Sequence, residues 1–305
     1  MIVSASYRTD IPAFYGAWFM RRLEAGFCRV SSPYGGAPAR VGLSRDEVAG
    51  FVFWTRNLGP FMASLDELRR RGYPFTIQFT LTTYPNALEP GVIALERALE
   101  QLREVAARFG KRVAVWRYDP ILVSDLTPLE SHRARFERLA DALAGTVDEV
   151  AISFAQIYRK TKRNLDAAAR AHGFSWRDPA SEEKCALAAE LAARARARGM
   201  VLSLCAQPDY LGPGIEPARC IDPRRLADVA GCPIEVPVKG NRPGCLCAAS
   251  RDIGAYDSCA QGCVYCYAVA SRAAAKRRLA GHDPDAEYLI ETSGRKSLHP
   301  NSLPP

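Results

Sequence analysis

Cys259, Cys263 and Cys266 stand within the eight residues CAQGCVYC, a CxxxCxxC spacing that puts three soft thiolates into one short loop. Three chemistries fit such a loop. A structural zinc site takes four tetrahedral ligands, normally in two close pairs, so a further ligand would have to come from elsewhere. A disulfide would use two of the cysteines and leave a spare thiol. An iron-sulfur cluster on three cysteines keeps one iron open to a small molecule, whereas a purely electron-transferring cluster usually takes all four thiolates. Gly262, between the first and second cysteines, permits a backbone angle or a close approach that other residues resist.

The chain holds ten cysteines, and five of them fall between Cys245 and Cys266. Cys245 and Cys247 form a CxC pair, Cys205 ends an apolar run, and Cys220 lies in the Pro/Gly-rich stretch that follows. Four thiolates converging there would make an auxiliary metal site, an iron-sulfur cluster or a zinc; the alternative is scattered buried thiols. Cys28, Cys185 and Cys232 stand alone and read as packing or incidental thiols. The four histidines, His132, His172, His282 and His299, fall on predicted helices or the tail and read as surface residues. The opening MIVSASYRTD is a short apolar run followed at once by Arg8 and Asp10, which fits neither a signal peptide nor a membrane span. The expected location is therefore cytoplasmic, where cysteines serve metal or redox chemistry more often than disulfides. The net charge of +8 comes from short arginine groups such as Arg69 to Arg71 and Arg194, Arg196 and Arg198. These read as solvated helix faces, with nucleic acid or another polyanion as the alternative partner.

The elements that would position these residues alternate. With 305 residues, 48% of them hydrophobic, the chain can bury a large core. Apolar, β-rich runs at 2–7, 51–55, 75–82, 112–118, 149–154, 201–205 and 252–256 alternate with helical stretches at 13–25, a brief one from Ser44, 65–71, 92–109, 128–144, 182–198 and 264–279. That is the pattern of βα units on a parallel sheet, and their number favours an open or closed TIM-like βα barrel over a doubly wound sheet. Residues 1–207 would supply the barrel units and 208–250 a Pro/Gly-rich connector or lid. Residues 251–282 would form the unit with the cysteine loop, and 283–305 a frayed polar tail. The expected strand ends carry Arg8, Thr9 and Asp10, Thr55 to Asn57, Thr80, Thr82 and Thr83, Arg117 with Asp119, and Ser153 with Gln156. In a βα barrel these ends outline a polar cup, although each such residue alone also suits a cap or turn.

CAQGCVYC after a short strand and before an Ala-rich helix, with Tyr265 ahead of the third cysteine, closely resembles the radical S-adenosylmethionine (SAM) superfamily. The resemblance implies a [4Fe-4S] cluster on Cys259, Cys263 and Cys266, with the open iron chelated by SAM and Tyr265 near the adenine. It also implies reductive cleavage to a 5′-deoxyadenosyl radical, and a reductant protein such as flavodoxin or ferredoxin. In that superfamily the motif follows the first strand, so its position here implies a circularly permuted, partial barrel whose cluster-binding strand, loop and helix come last. FVFWTRN and FTLTTYPNALEP through RYDPIL resemble the spore photoproduct lyase branch. The whole chain, from SASYRTDIPAFY to CLCAASRDIGAYDSCAQGCVYCYA, also resembles an uncharacterised bacterial domain-of-unknown-function family with a cysteine-rich C-terminus.

If SAM binds, it needs partners for its carboxylate, amine and ribose, and Thr80, Thr82, Arg117, Asp119 and Ser153 are placed by strand order to serve. The expectation is a radical SAM enzyme of unknown substrate. A nucleic-acid repair lyase of the same chemistry is the narrower form. A zinc-stabilised nucleic-acid-binding module and an iron-sulfur electron carrier are the non-enzymatic alternatives.

Overall fold

Side chains alternate between the two faces of a strand, and here that alternation makes two unlike faces on one parallel sheet. The computed structural model describes residues 1–32 and 37–290. The sheet strands are β1 (Ile2–Ala5), β2 (Gly50–Thr55), β3 (Phe75–Thr80), β4 (Ala114–Ile121), β5 (Glu149–Phe154), β6 (Val201–Leu204), β7 (Ile215–Pro217) and β8 (Ser250–Asp252). Across the sheet they run β7-β6-β5-β4-β3-β2-β1-β8, with every pair parallel. Each strand lies beside its predecessor in the chain, without the reversal that marks a doubly wound sheet. The exception is β8, which returns to lie beside β1 with Ile2 opposite Ser250 and Ser4 opposite Asp252. Among the described residues the sheet does not close into a barrel, and β7 and β8 are its two edges.

One face is apolar. Val3, Phe53, Ile77, Trp116, Ile152 and Leu204 belong to a continuous buried core with helix residues such as Phe19, Leu102, Phe136 and Leu191. Each such side chain stabilises the fold by roughly 1.5–3 kcal/mol. The helices on this side are α1 (Ile11–Phe14), α2 (Gly16–Ala25), α3 (Met62–Arg70), α4 (Leu95–Phe109), α5 (Leu129–Leu143) and α7 (Ser181–Arg196), whereas α6 (Arg159–His172) puts Leu165 and Ala168 into a separate cluster with Tyr84, Leu122 and Tyr265. At the alternate positions stand Ser4, Thr76, Gln78, Arg117, Ser153 and Ser203, all buried. A parallel sheet covered on both faces is ordinarily apolar on both, so a buried polar face marks a place where polar groups have work to do.

The region expected to be a loose connector is partly regular. It contains β7 and α8 (Pro223–Ala230), where Asp222 accepts from the Arg224 N–H and Pro223 opens the helix. Ile221, Leu226 and Ala248 from this region pack with Ile2 and Val52 against the polar side of the sheet. Helix α6, also unexpected, buries only Thr161, Leu165 and Ala168, a stripe too narrow to stand out in a polar run. No helix forms at Ser44, and α9 (Arg272–Ala280) starts where Ser271 accepts from Ala274 N, well after the expected Val264. A hairpin of Phe27–Val30 and Ala39–Gly42 was not expected.

The segment read as a frayed tail is docked as far as it is described. Trp18 donates to the Ala286 carbonyl at 2.9 Å, and Leu289 is buried. Residues 291–305, including His299, lie outside the described residues. His132, expected at the surface, is fully buried. No helix of the described residues is long and apolar enough to cross a membrane.

Candidate metal centre

Asp252, the last residue of β8, fastens the C-terminal unit to the start of the chain. Its carboxylate accepts from Ser4 Oγ (2.6 Å), Ser6 Oγ (2.8 Å), Tyr7 N (3.1 Å) and Gly254 N (2.9 Å), with Arg8 Nε 3.7 Å away. Arg8 and Asp10, both expected at the end of the first strand, go to different partners. Buried Asp10 caps α1 through Ala13 N (3.0 Å) and accepts from Arg56 N (2.9 Å) and Gln261 Nε2 (3.1 Å). The cysteine loop is thereby tied to the ends of β1 and β2, on the C-terminal side of the sheet where ligands of parallel βα proteins bind.

The loop itself is held at several points. Val264 N donates to the Leu88 carbonyl (3.0 Å), and Tyr15 Oη donates to the Ser258 carbonyl (2.7 Å). Gly262 has φ +85°, and a Cβ there would meet the Arg272 side chain at 2.3 Å, while Arg272 Nε itself donates to the Ala260 carbonyl at 3.2 Å. A Cβ on Gly91 would likewise stand 2.2 Å from the Gln261 carbonyl. Both glycines are required by close approach, one of them also by its left-handed backbone.

Beside Cys263 lies a buried ionic knot. Arg56 donates to Tyr265 Oη (2.6 Å) and pairs with Glu89 Oε1 (3.0 Å), which also accepts from Thr82 Oγ1 (2.6 Å) and from Tyr265 Oη. Of the residues proposed from sequence, the knot gathers Arg56, Thr82 and Tyr265; Glu89 and Gln261 were missed. Their only sequence signal is an acidic residue before a proline and an amide inside the cysteine motif. The Tyr265 ring, buried edge-on to Tyr84 with centroids 6.1 Å apart, helps wall the site from water.

Burial raises the pKa of all three loop thiols, Cys263 to about 12, so without a bound cation they are held as neutral thiols. The Arg56 guanidinium works in the opposite direction on Cys263 and Cys266. The same region carries buried polar atoms without a hydrogen-bond partner: Arg8 Nε, Thr9 Oγ1, Glu89 Oε2 and Gln261 Oε1. Such orphans are rare in folded proteins and ask for an occupant. Three loop thiols with unsatisfied acceptors and a hydroxyl around them fit a cluster with a polar small molecule on its open side. Among the described residues, however, no three His, Cys, Asp or Glu side chains already surround a common centre.

The other sequence-proposed residues assemble elsewhere on the polar face. Arg117 pairs with Asp119 at 2.6 Å, which accepts from Ser153 Oγ, and Arg117 Nη1 reaches Gln78 Oε1 (3.1 Å) and Cys220 Sγ (3.0 Å). Thr80 sits at the end of β3 in register with Arg117. Cys205, Cys220 and Cys247 are buried together with Cys245 packed against them, so the four thiols do meet. Contact with Cys247 and the backbone N–H groups of Asn241 and Cys247 pull Cys245 down to about 6. Cys28 is buried alone, Cys185 is half-buried and Cys232 is exposed. Two surface hollows, one lined by Ser124, Arg133 and Trp176 and the other by Asn57, Ile93 and Gln101, contain none of the cysteines.

Among solved structures, a crystal structure of a D-hydantoinase aligns over 67% of this chain and 41% of its own, at 9% identity and a TM-score of 0.31. No curated protein sequence matches the chain. The family model described as "Domain of unknown function (DUF1848)" matches residues 2–268, and the chain belongs to that family.

Proposed function

We propose that this protein is a radical SAM enzyme in which Cys259, Cys263 and Cys266 hold a [4Fe-4S] cluster. The observation that carries the reading is the joint placement of three loop thiols and four buried polar atoms without a hydrogen bond at the C-terminal end of a parallel sheet. When bound, the reduced cluster would supply the electron that splits the SAM sulfonium into methionine and a 5′-deoxyadenosyl radical.

The chain's own residues would do the rest. Arg56, beside Cys263, favours its thiolate form, and the knot with Glu89 and Tyr265 holds the guanidinium in place. Glu89 Oε2 and Gln261 Oε1 are free acceptors suited to an ammonium group, and Thr9 Oγ1 is a free hydroxyl suited to a carboxylate or ribose. Arg117, Asp119 and Ser153 are already engaged with one another, so the SAM contacts expected of them pass in this reading to Thr9, Glu89 and Gln261. The electron must come from outside the chain, from a donor such as flavodoxin or ferredoxin.

The test is spectroscopic. Protein reconstituted anaerobically with iron and sulfide, then reduced, should give an electron paramagnetic resonance signal whose shape changes on adding SAM. A reduced-cluster signal indifferent to SAM, or no cluster at all, would contradict the assignment.

A further inference from the structure

A second group of thiols lies outside the cysteine loop, and three separate stretches of chain build it. Cys205 follows β6, Cys220 follows β7, and Cys245 and Cys247 stand just before β8. Cys205 Sγ and Cys220 Sγ are 3.5 Å apart, Cys220 touches Cys247, and Cys247 touches Cys245. Residues so far apart in the chain meet only because the fold brings them together.

We propose that Cys205, Cys220, Cys245 and Cys247 bind a single tetrahedral zinc ion, a site independent of the cysteine loop and of the radical chemistry proposed for it. Four sulfurs each about 2.3 Å from one tetrahedral zinc stand about 3.8 Å from one another, close to the separation seen between Cys205 and Cys220. A four-iron cluster would place each thiolate on a different iron, and so farther apart. Soft thiolates in a closed set of four suit zinc.

The surroundings carry the matching charge. Buried Arg117 donates from Nη1 to Cys220 Sγ at 3.0 Å, and Arg242 donates from Nη2 to Cys205 Sγ at 3.6 Å. Four thiolates on Zn²⁺ leave two negative charges; these guanidiniums offset them, with Asp119 sharing Arg117, and such N–H donors to ligand sulfur are the outer partners metal sites use. The thiol contacts form a chain rather than a closed ring, and Cys245, half-buried at its end, is the ligand that must swing in. A metal there would tie the start of the segment crossing the polar face to its end. That segment has little helix or strand beyond α8 to hold it.

The test measures metal per chain in protein made in zinc-containing, iron-poor medium and purified anaerobically without chelator. The wild type and the Cys259→Ala/Cys263→Ala/Cys266→Ala variant should both hold about one zinc, and Cys247→Ser should lose it. If Cys247→Ser fails to fold, Cys245→Ser, altered at the half-buried ligand, should fold and still lose zinc to a chromophoric chelator at least about tenfold faster. Zinc absent from the triple variant would place the metal in the loop, and iron in its stead would make the site a cluster. A metal-free Cys205–Cys220 disulfide would make it a redox pair. Each of these outcomes overturns the proposal. Wild-type protein that keeps zinc but takes up no cluster would instead overturn the function proposed above and leave the zinc site standing.

Discussion

Glu89 is the residue on which the candidate site turns. One carboxylate oxygen satisfies Arg56, Thr82 and Tyr265 while the other faces no partner. Glu89→Gln keeps the shape and removes the charge, leaving Arg56 buried beside a neutral amide. Breaking a buried pair in this way costs about 3–5 kcal/mol, so the urea midpoint should fall accordingly. A change within error would mean that the knot does not hold the loop. Gly262→Ala should cost about 1–2 kcal/mol for its left-handed backbone, and more because Arg272 must leave its place. Reduced iron loading on reconstitution is the readout, with loading equal to the wild type as the contrary result. At this scale the cysteines and Tyr265 were legible because their spacing is a local pattern. Glu89 and Gln261 were not, since their roles depend on β2 and β3 ends that sequence spacing does not bring together.

His132 carries a further residue-scale prediction. Its Nδ1 accepts from Tyr118 Oη at 2.8 Å and its Nε2 donates to the Leu122 carbonyl at 3.0 Å, so the neutral ring fills both roles. Burial lowers its pKa from 6.5 to about 4. The unfolded chain therefore binds a proton that the folded chain refuses between these values. The stability this ring contributes is complete above about pH 6.5 and falls as pH drops towards 4, by at most about 3 kcal/mol. Comparing His132→Gln with the wild type at pH 7 and pH 4.5 isolates the effect. The wild type should lose more stability than the variant on acidification; equal losses would show that His132 is not the group titrating.

Among the elements, β8 depends most on a side chain. It is three residues long and among the described residues pairs only with β1, so the four donors on Asp252 matter more than its ladder. Asp252→Ala leaves Ser4, Ser6 and two backbone N–H groups without their acceptor, at about 1–3 kcal/mol for each group left unsatisfied. Hydrogen exchange should rise in residues 250–258 well before the central strands are affected. Uniform exchange over the whole sheet would mean instead that β8 unfolds only with the rest. The long, strongly periodic elements were legible, β5 residue for residue and α5 to within one residue at each end. Helix α6 was hidden by its polar composition and α8 by the prolines around it, although Asp222 followed by Pro223 is a start signal that sequence does contain. Helix α9 began late because the Ala-rich run conceals where the cysteine loop ends and Ser271 caps.

Over the whole molecule, the sequential winding was legible from the alternation of β and α periods. The open edge was not, because closure depends on whether β7 and β8 meet. The arginine groups that give the chain its positive balance are largely drawn into surface ion pairs, Arg70 and Arg71 on Glu67 and Arg194 and Arg198 on Glu137. Since β8 lies beside β1, a chain with residues 249–290 moved ahead of Met1 through a flexible linker should keep its far-ultraviolet circular dichroism and a single cooperative unfolding transition. Aggregation, or two transitions, would show that the present order of units is needed for folding.

The central claim is the chemistry of the cysteine loop, and product formation tests it most directly. Anaerobically reconstituted and reduced protein would be incubated with SAM and assayed for 5′-deoxyadenosine beside a Cys263→Ala control. The account predicts 5′-deoxyadenosine from the unaltered protein and none above background from the variant. An intact, reducible cluster that leaves SAM uncleaved, or equal product from the variant, would contradict it.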